Sequence, residues 1–185
     1  MLKDVINGTE EKMKAVVANT KREFSTVRTG RANPAILDRV TVNYYNTPTP
    51  LNQLANIAVP EPRLITIQPW DKSSIKDVEK AILQSDLGLT PNNDGQIIRL
   101  VIPALTGERR KELVRLVRKV AEEMRVAIRN IRRDINDTIK AEEKQSSLPE
   151  DDARRYEKQV QDLTDRYIKE IDQVLLAKEQ EIMEV

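Results

Sequence analysis

Apolar residues recur every three or four positions along three long stretches of the chain, a spacing that lines one side of an α-helix. These stretches cover residues 2–28, residues 106 to about 145, and residues 147 to near the C-terminus. The apolar side of the first is assigned to Leu2, Val5, Thr9, Met13, Val16, Thr20, Phe24 and Val27. That of the second is assigned to Leu113, Val117, Val120, Met124, Ile128, Ile131, Ile135 and Ile139. That of the third is assigned to Tyr156, Val160, Leu163, Tyr167, Ile171 and Val174. No single helix can bury such a side alone, so the pattern predicts an antiparallel three-helix bundle.

Apolar positions in the first two helices also repeat at intervals of eleven. Leu2, Met13 and Phe24 have this spacing, and so do Leu113, Met124 and Ile135. An eleven-residue repeat gives about 3.67 residues per turn, which favours nearly straight packing over a heptad supercoil. The second and third helices would each be roughly 55 Å long. The predicted bundle is therefore elongated.

The predicted helix ends depend on short local signals. Gly30 is expected to end the first helix, since glycine often follows the last helical turn. Thr106 is a candidate N-cap for the second helix. The run Ser147-Leu148-Pro149-Glu150 has the form of a capping box and predicts the start of the third helix.

Residues 31–103 have a different pattern, with eight of the nine prolines and alternating β-branched positions. Three runs are predicted as strands: 40–44, 64–67 and 97–102. Asp71 or Ser73 would cap a short helix ending near Gln84, with Ile75, Val78, Ile82 and Leu83 as its apolar positions. Asn93-Asp94-Gly95 is a turn signal before the last strand.

These patterns predict an α+β protein in which a small β/α domain is inserted into an elongated helical bundle. The bundle is expected from residues 1–30 and 105–185, and the inserted domain from residues 31–104. The chain crosses twice between them, so the joints are expected to act as a hinge. The predicted hinge residues are Thr29, Gly30, Arg31, Ala104, Leu105 and Thr106. Gly30 is expected either to adopt a left-handed backbone conformation or to allow reorientation at the hinge.

The second helix carries a basic surface on the side away from its apolar positions. On a helical wheel, one arc holds Lys111, Arg115, Arg118, Arg125, Arg129, Arg132 and Arg133. The formal net charge of the chain is only +1, so positive charge is concentrated on this helix. Acidic residues on the arc are too few to neutralise it, and guanidinium groups suit bidentate contact with phosphate. We predict a phosphate-bearing partner; the alternative is a solvated face with salt bridges between successive turns.

Composition argues against several other classes of protein. The chain has neither Cys nor His, and its five glycines form neither a P-loop nor a dinucleotide fingerprint. We therefore expect no enzyme activity, no cofactor and no metal site. The N-terminus lacks an apolar signal region and no apolar run approaches the length of a membrane span, so a cytoplasmic protein without membrane contact is expected.

Few aromatic residues are available for recognition. Trp70 is expected to pack where a strand meets a helix, with stacking on a base as the alternative. Residues 44–50 are predicted to be a loop whose exposed ring contacts a partner.

Several blocks, in this order, resemble the bacterial ribosome recycling factor, and the resemblance covers essentially the whole chain. The blocks are Arg28–Pro34, Tyr44–Ala55, Pro69–Asp71, Ser85–Leu89, Asn93–Gly95 and Ile128–Arg133. The resemblance implies a three-helix bundle joined by a hinge to a β/α domain in an L-shaped molecule. It also implies binding to the post-termination ribosome in the cytoplasm, as a monomer. With elongation factor G and its GTP hydrolysis, such a factor promotes subunit separation and the release of mRNA and tRNA.

In that family the bundle anchors the factor to the ribosome, and the smaller domain responds to elongation factor G. The expected target of the basic helix is then rRNA of the large subunit. The main contacts are assigned to Arg129, Arg132 and Arg133. Supporting contacts are assigned to Arg28, Arg31 and Arg110, and Arg118 and Arg125 complete the predicted set. The alternative function is that of a helical adapter whose basic face docks on an acidic protein surface.

Overall fold

The computed structural model describes residues 2–145 and 147–184, with Leu2 described by its backbone only. Four α-helices are present in the described chain: α1 (Leu2–Thr26), α2 (Ile75–Gln84), α3 (Gly107–Lys144) and α4 (Glu150–Met183). The strands are β1 (Thr41–Tyr44), β2 (Thr47–Pro50), β3 (Ala55–Glu61), β4 (Leu64–Pro69), β5 (Pro91–Asn93) and β6 (Ile98–Val101). The predicted α+β class is confirmed.

The described chain forms two compact units. One contains residues 2–28 and 107–184, and the other contains residues 29–106. The predicted domain bounds, 1–30 with 105–185 for the bundle and 31–104 for the inserted domain, stay a prediction, and so does the hinge between them. Residues 1, 146 and 185 lie outside the described part of the chain.

The first unit is a bundle of α1, α3 and α4. Arg118 contacts Glu179 and Arg125 contacts Asp172, so position rises along α3 as it falls along α4 and the two helices are antiparallel. Asn19 on α1 contacts the sulfur of Met124 on α3.

A partly buried polar contact joins α1 to α4. The Tyr167 hydroxyl donates to Glu10 Oε1 at 2.8 Å. Burial raises the pKa of Tyr167, and the hydrogen bond to Glu10 raises it further. The ring therefore stays a neutral hydrogen-bond donor throughout the ordinary pH range.

The eleven-residue repeat is present among the buried side chains of the bundle. Buried pairs or triplets at this interval are Ile6 and Val17, Thr9 and Thr20, Met13 and Phe24, Val117 with Ile128 and Ile139, and Val160 with Ile171 and Ile182. Two α1 assignments were wrong by one position, because Val5 is 37% exposed and Val16 is only half-buried. The predicted position Leu2 lies outside the described side chains.

Small side chains in the bundle core escaped the sequence pattern. Ala121, Ala153 and Thr164 are buried, whereas the larger Val120 and Ile131, which were assigned to the core, are half-buried. Burial in this bundle therefore does not follow side-chain size.

Two of the predicted helix ends were wrong. Helix α1 ends at Thr26, and the glycines with positive φ are Gly88 and Gly95, so Gly30 neither caps α1 nor adopts a left-handed conformation. Pro149 occupies the N-cap position of α4, with no side-chain cap.

The predicted capping box fails because its serine bonds elsewhere. Ser147 Oγ lies 2.8 Å from the backbone oxygen of Glu142 and 2.6 Å from its carboxylate. The serine therefore completes the end of α3 instead of the start of α4.

The second unit contains a four-stranded antiparallel sheet in the order β3-β4-β6-β5 and a separate β1-β2 hairpin. Ile67 on β4 pairs with Ile57 on β3 and with Ile98 on β6, and α2 covers the buried face. The predicted strands over 40–44, 64–67 and 97–102 are confirmed as β1, β4 and β6.

Three strands were missed because prolines lie within them. Pro60 lies in β3, Pro91 begins β5, and Pro48 lies in β2. All three are edge strands, where a missing N–H costs no ladder hydrogen bond. The predicted loop over residues 44–50 is instead a tight hairpin, with Tyr45 and Asn46 at φ of 47° and 62°.

Asp71 caps the 3₁₀ turn Lys72–Ser74 that precedes α2, whereas the N-cap position of α2 itself is Ser74, with no side-chain cap. Asp71 Oδ1 accepts a hydrogen bond from the backbone N–H of Ser73 at 2.9 Å, at the turn that leads into α2. Two packing predictions around α2 were wrong. Leu83 is 57% exposed, so it is not part of the core. Trp70 is 69% exposed and does not pack between strand and helix.

Candidate nucleic-acid interface

Helix α3 presents its basic residues in two rows because its apolar side packs on α1 and α4. Three arginines spaced by seven residues contact α4 side chains, and we call them the inner row: Arg118, Arg125 and Arg132. Three others pair with no α4 acid in the described part of the chain, and we call them the outer row: Arg115, Arg129 and Arg133.

Two inner-row arginines are paired with carboxylates of α4. Arg125 lies between two acids, with Nη2 at 2.7 Å from Asp172 and Nη1 at 2.9 Å from Glu122. Arg118 Nε donates to Glu179. The prediction that acids are too few to neutralise the arc was therefore wrong for these two arginines, because Asp172 and Glu179 of the neighbouring helix supplement Glu122 of α3.

The pKa shifts agree with this pairing. Hydrogen bonds from Arg125 and Arg129 hold the pKa of Glu122 below its ordinary value. The hydrogen bond to Glu179 raises the pKa of Arg118. Burial lowers the pKa of Arg125, but its bonds to Asp172 and Glu122 outweigh that effect. The shifts of Glu122, Arg118 and Arg125 all favour the charged form, as expected for ionic pairs.

The charges of the three arginines assigned to the main contacts are less compensated by nearby acids. Arg132 is half-buried, and its Nη1 donates to Gln161 Oε1 at 3.2 Å. Arg129 is held 3.3 Å from Glu122 on its own helix. Arg133 is exposed and has no ion pair within residues 2–145 and 147–184.

A shallow groove of about 350 Å³ opens beside the first turns of α3. Its lining includes the basic Lys111 and Arg115, the apolar Val114 and Met183, and the ion pair of Arg118 with Glu179. Basic side chains therefore continue to the N-terminal end of α3, with one acid of α4 among them.

The arginines assigned to supporting contacts lie near the ends of the chain segments that make up the two units. Arg28 and Arg31 are exposed, and each interacts with another group. Arg110 is half-buried, and its Nε has no hydrogen-bond partner among the described residues.

The predicted hinge residues are the first three and the last three residues of the second unit. Their role in a motion stays a prediction. Thr29 is buried, and its Oγ1 accepts from the backbone N–H of Arg31 at 3.4 Å. A Cβ added at Gly30 would lie 3.7 Å from Leu105, so the two joints are adjacent within this unit. Ala104 and Thr106 are exposed.

Exposed aromatic rings form a second feature that the sequence only partly predicted. Tyr45 is exposed and its ring lies edge-on to that of Tyr44, 4.5 Å between centroids. The Tyr44 hydroxyl donates to Asp71, the residue after Trp70. The core of this unit contains no aromatic residue among those described, so its rings lie at the surface instead.

Within the described chain, no helix has both the length and the apolar character needed to cross a membrane. The described Asp and Glu residues also form no group suited to holding a metal ion.

Comparison with known proteins places this architecture among the factors of protein biosynthesis. The family model for ribosome recycling factor matches residues 20–183, and the chain belongs to that family. The ribosome-recycling factor of Desulforamulus reducens is 61% identical over 185 residues, covering all of both chains. That of Bacillus subtilis is 57% identical with the same coverage.

Solved structures agree with this assignment. A solution structure of the ribosome recycling factor matches with a TM-score of 0.77 and 42% identity, over 100% of this chain and 98% of that chain. The T. thermophilus ribosome recycling factor, from models that also include E. coli elongation factor G bound to the E. coli post-termination complex, matches with a TM-score of 0.65 and 46% identity over all of both chains.

Proposed function

We propose that this chain binds the post-termination ribosome and acts there with elongation factor G. Its membership of the ribosome recycling factor family supports this role. So does its full-length similarity to the T. thermophilus factor, which is described together with E. coli elongation factor G bound to a post-termination complex. In the proposed reaction the two factors separate the ribosomal subunits, and mRNA and tRNA are released.

The energy for this separation comes, in our proposal, from GTP hydrolysis by elongation factor G. The chain itself has no Cys, no His and no glycine-rich phosphate loop, which supports a role without catalysis. It would act in the cytoplasm as a monomer, anchored by its bundle and responding to elongation factor G through the unit of residues 29–106.

The proposed ribosomal target is rRNA of the large subunit, contacted by the arginines of α3. Arg133, Arg132 and Arg129 are the principal candidates because none of them is paired with an α4 carboxylate. A rigid helix carrying a row of guanidinium groups suits RNA, which proteins read largely by shape and backbone. Arg28, Arg31 and Arg110 are proposed as supporting contacts.

In this proposal the arginines that are paired with α4 acids contribute less to RNA binding. Arg118 and Arg125 would have to leave Glu179 and Asp172 before contacting phosphate in full. Their replacement is expected to weaken the contact between α3 and α4 as well as RNA binding.

Equilibrium binding to ribosomes tests the arginine assignment. Arg133→Ala is expected to weaken binding and to lower the salt slope of log affinity by about one, since one phosphate contact is lost. Arg132→Ala is expected to weaken binding while leaving the bundle folded. The matched control is Arg22→Ala on α1, an exposed arginine whose described contact is with Asn19 only. Equal affinities of the Arg133 and Arg22 variants at physiological salt would refute the assignment.

Ribonuclease treatment separates this function from that of a protein adapter. If the partner surface is RNA, limited digestion of the ribosomes abolishes the binding that Arg133→Ala weakens. Binding that survives complete digestion, and still depends on Arg133, would favour an acidic protein surface.

A further inference from the structure

The inner row of α3 matches a row of polar residues on α4. Residues 118, 125 and 132 on α3 are spaced by seven, and so are Asp165, Asp172 and Glu179 on α4. Because the helices are antiparallel, Arg118 meets Glu179 and Arg125 meets Asp172. The same register places Arg132 opposite Asp165.

The third position of this series departs from the first two. Arg132 Nη1 donates to Gln161 Oε1 at 3.2 Å, and Gln161 Nε2 donates to Asp165 at 2.8 Å. A neutral amide therefore lies between the guanidinium and the carboxylate. Within the described chain Arg132 has no ion pair, although an acid is present one side chain away.

This difference changes what each arginine gains by binding phosphate. A guanidinium already paired with a carboxylate exchanges one anion for another, and the displaced carboxylate then repels the phosphate. A guanidinium bonded to an amide loses only a neutral hydrogen bond and gains a charge-assisted one.

We propose that the residues of α4 facing the inner row determine which arginines of α3 are available to phosphate: Asp172 and Glu179 withhold Arg125 and Arg118, and Gln161 keeps Arg132 available. This inference rests on the proposed RNA-binding function. Asp172 and Glu179 act as positioning residues that limit binding to RNA in general. Phosphate binding is thereby concentrated at Arg132, Arg115 and Arg133, while Arg129 is held in part by Glu122.

Removing an α4 charge tests the first half of the proposal. Asp172→Asn removes one of the two acids that hold Arg125 and is expected to strengthen binding to poly(U). Because Glu122 still pairs with Arg125, the salt slope is expected to steepen by less than the value of about 0.7 for one full added contact on a single strand. Asp162→Asn is the matched control, since it removes the same charge from an exposed position on α4 with no described arginine contact. Affinity for large subunits is expected to change less, so the preference for subunits over poly(U) falls.

Adding a negative charge beside Arg132 tests the second half of the proposal. The expected change in affinity is then opposite in sign to that of Asp172→Asn. Gln161→Glu places a carboxylate against the guanidinium of Arg132 and is expected to weaken binding to large subunits and to lower the salt slope. Gln159→Glu adds the same charge at an exposed position with no described contact to α3, and is expected to have the smaller effect. Circular dichroism would confirm that all four variants are folded.

Two patterns of results would overturn the proposal. Equal changes in the Asp172 and Asp162 variants would mean that net charge alone controls the affinity for poly(U). Equal changes in the Gln161 and Gln159 variants would mean that Arg132 is not held available by the amide. A failure of the proposed function itself is distinguishable, because the wild-type chain and its Arg133→Ala variant would then bind ribosomes equally.

Discussion

Asp94 is the residue with the clearest link between a local contact and stability. It lies in the turn between β5 and β6, where its carboxylate accepts hydrogen bonds from Arg99 Nη1 at 2.7 Å and from the backbone N–H groups of Ile97 and Gln96. These bonds, that of Arg99 foremost, hold the pKa of Asp94 well below its ordinary value. The ionised form therefore stabilises the folded state.

Asp94→Asn is expected to lower the free energy of unfolding at pH 7. Because the folded-state pKa is depressed, the stabilisation by the carboxylate is fully present above the unfolded pKa of about 3.9 and is lost as pH falls toward the folded value. The difference between wild type and variant should thus shrink below about pH 4. Urea unfolding at pH 7, 4 and 2.5 measures it, and a difference that stays constant over this range would contradict the account.

Glycine positions also differ in a way that mutation can detect. Gly88 has φ of +65° with open space around it, whereas Gly30 has no positive φ and room for a methyl group beside Leu105. Gly88→Ala is expected to cost about 1 kcal/mol through backbone strain, and Gly30→Ala is expected to cost less. Thermal unfolding of both variants tests this ranking, and the reverse order would contradict it. The sequence could not separate the two, since φ depends on how the chain turns.

At the scale of elements, the eleven-residue repeat identifies the residues through which α3 packs against its neighbours. Ile128 is fully buried on the apolar side, while Val126, two residues earlier, is 45% exposed. The helical period could be predicted from the sequence, but the choice between adjacent apolar residues such as Val5 and Ile6 could not. That choice depends on where neighbouring helices approach most closely.

Ile128→Ala is expected to lower the unfolding free energy of the bundle by about 2–5 kcal/mol, because it leaves a cavity among packed helices. Val126→Ala is the matched control on the same helix and is expected to change it by less than about 0.5 kcal/mol. Chemical denaturation monitored by far-UV circular dichroism measures both. Similar losses in the two variants would show that the assigned core face is wrong.

The inserted unit shows a different limit on prediction. Its central strands β4 and β6 follow from alternation in the sequence, but the prolines of β2, β3 and β5 concealed edge strands. The exposure of Trp70 was equally hidden, since a large apolar residue beside a strand end is ordinarily buried.

At the scale of the whole molecule, the arrangement of charge connects fold to proposed function. Although the net charge of the chain is only +1, α3 is basic, and acids of α4 partly neutralise its arginines. The sequence predicted the arginine surface from one helix in isolation. It could not predict which arginines are paired, because the partners lie 47 and 61 residues away along the chain.

Subunit separation followed by light scattering tests the central claim most directly. Post-termination ribosomes, the chain, elongation factor G and GTP are mixed, and scattering is expected to fall only when all are present. Arg133→Ala is expected to slow the fall more than Arg22→Ala does, because only the first removes a proposed rRNA contact. No fall in scattering with the wild-type chain, when the same elongation factor G is active in translocation, would contradict the proposed function.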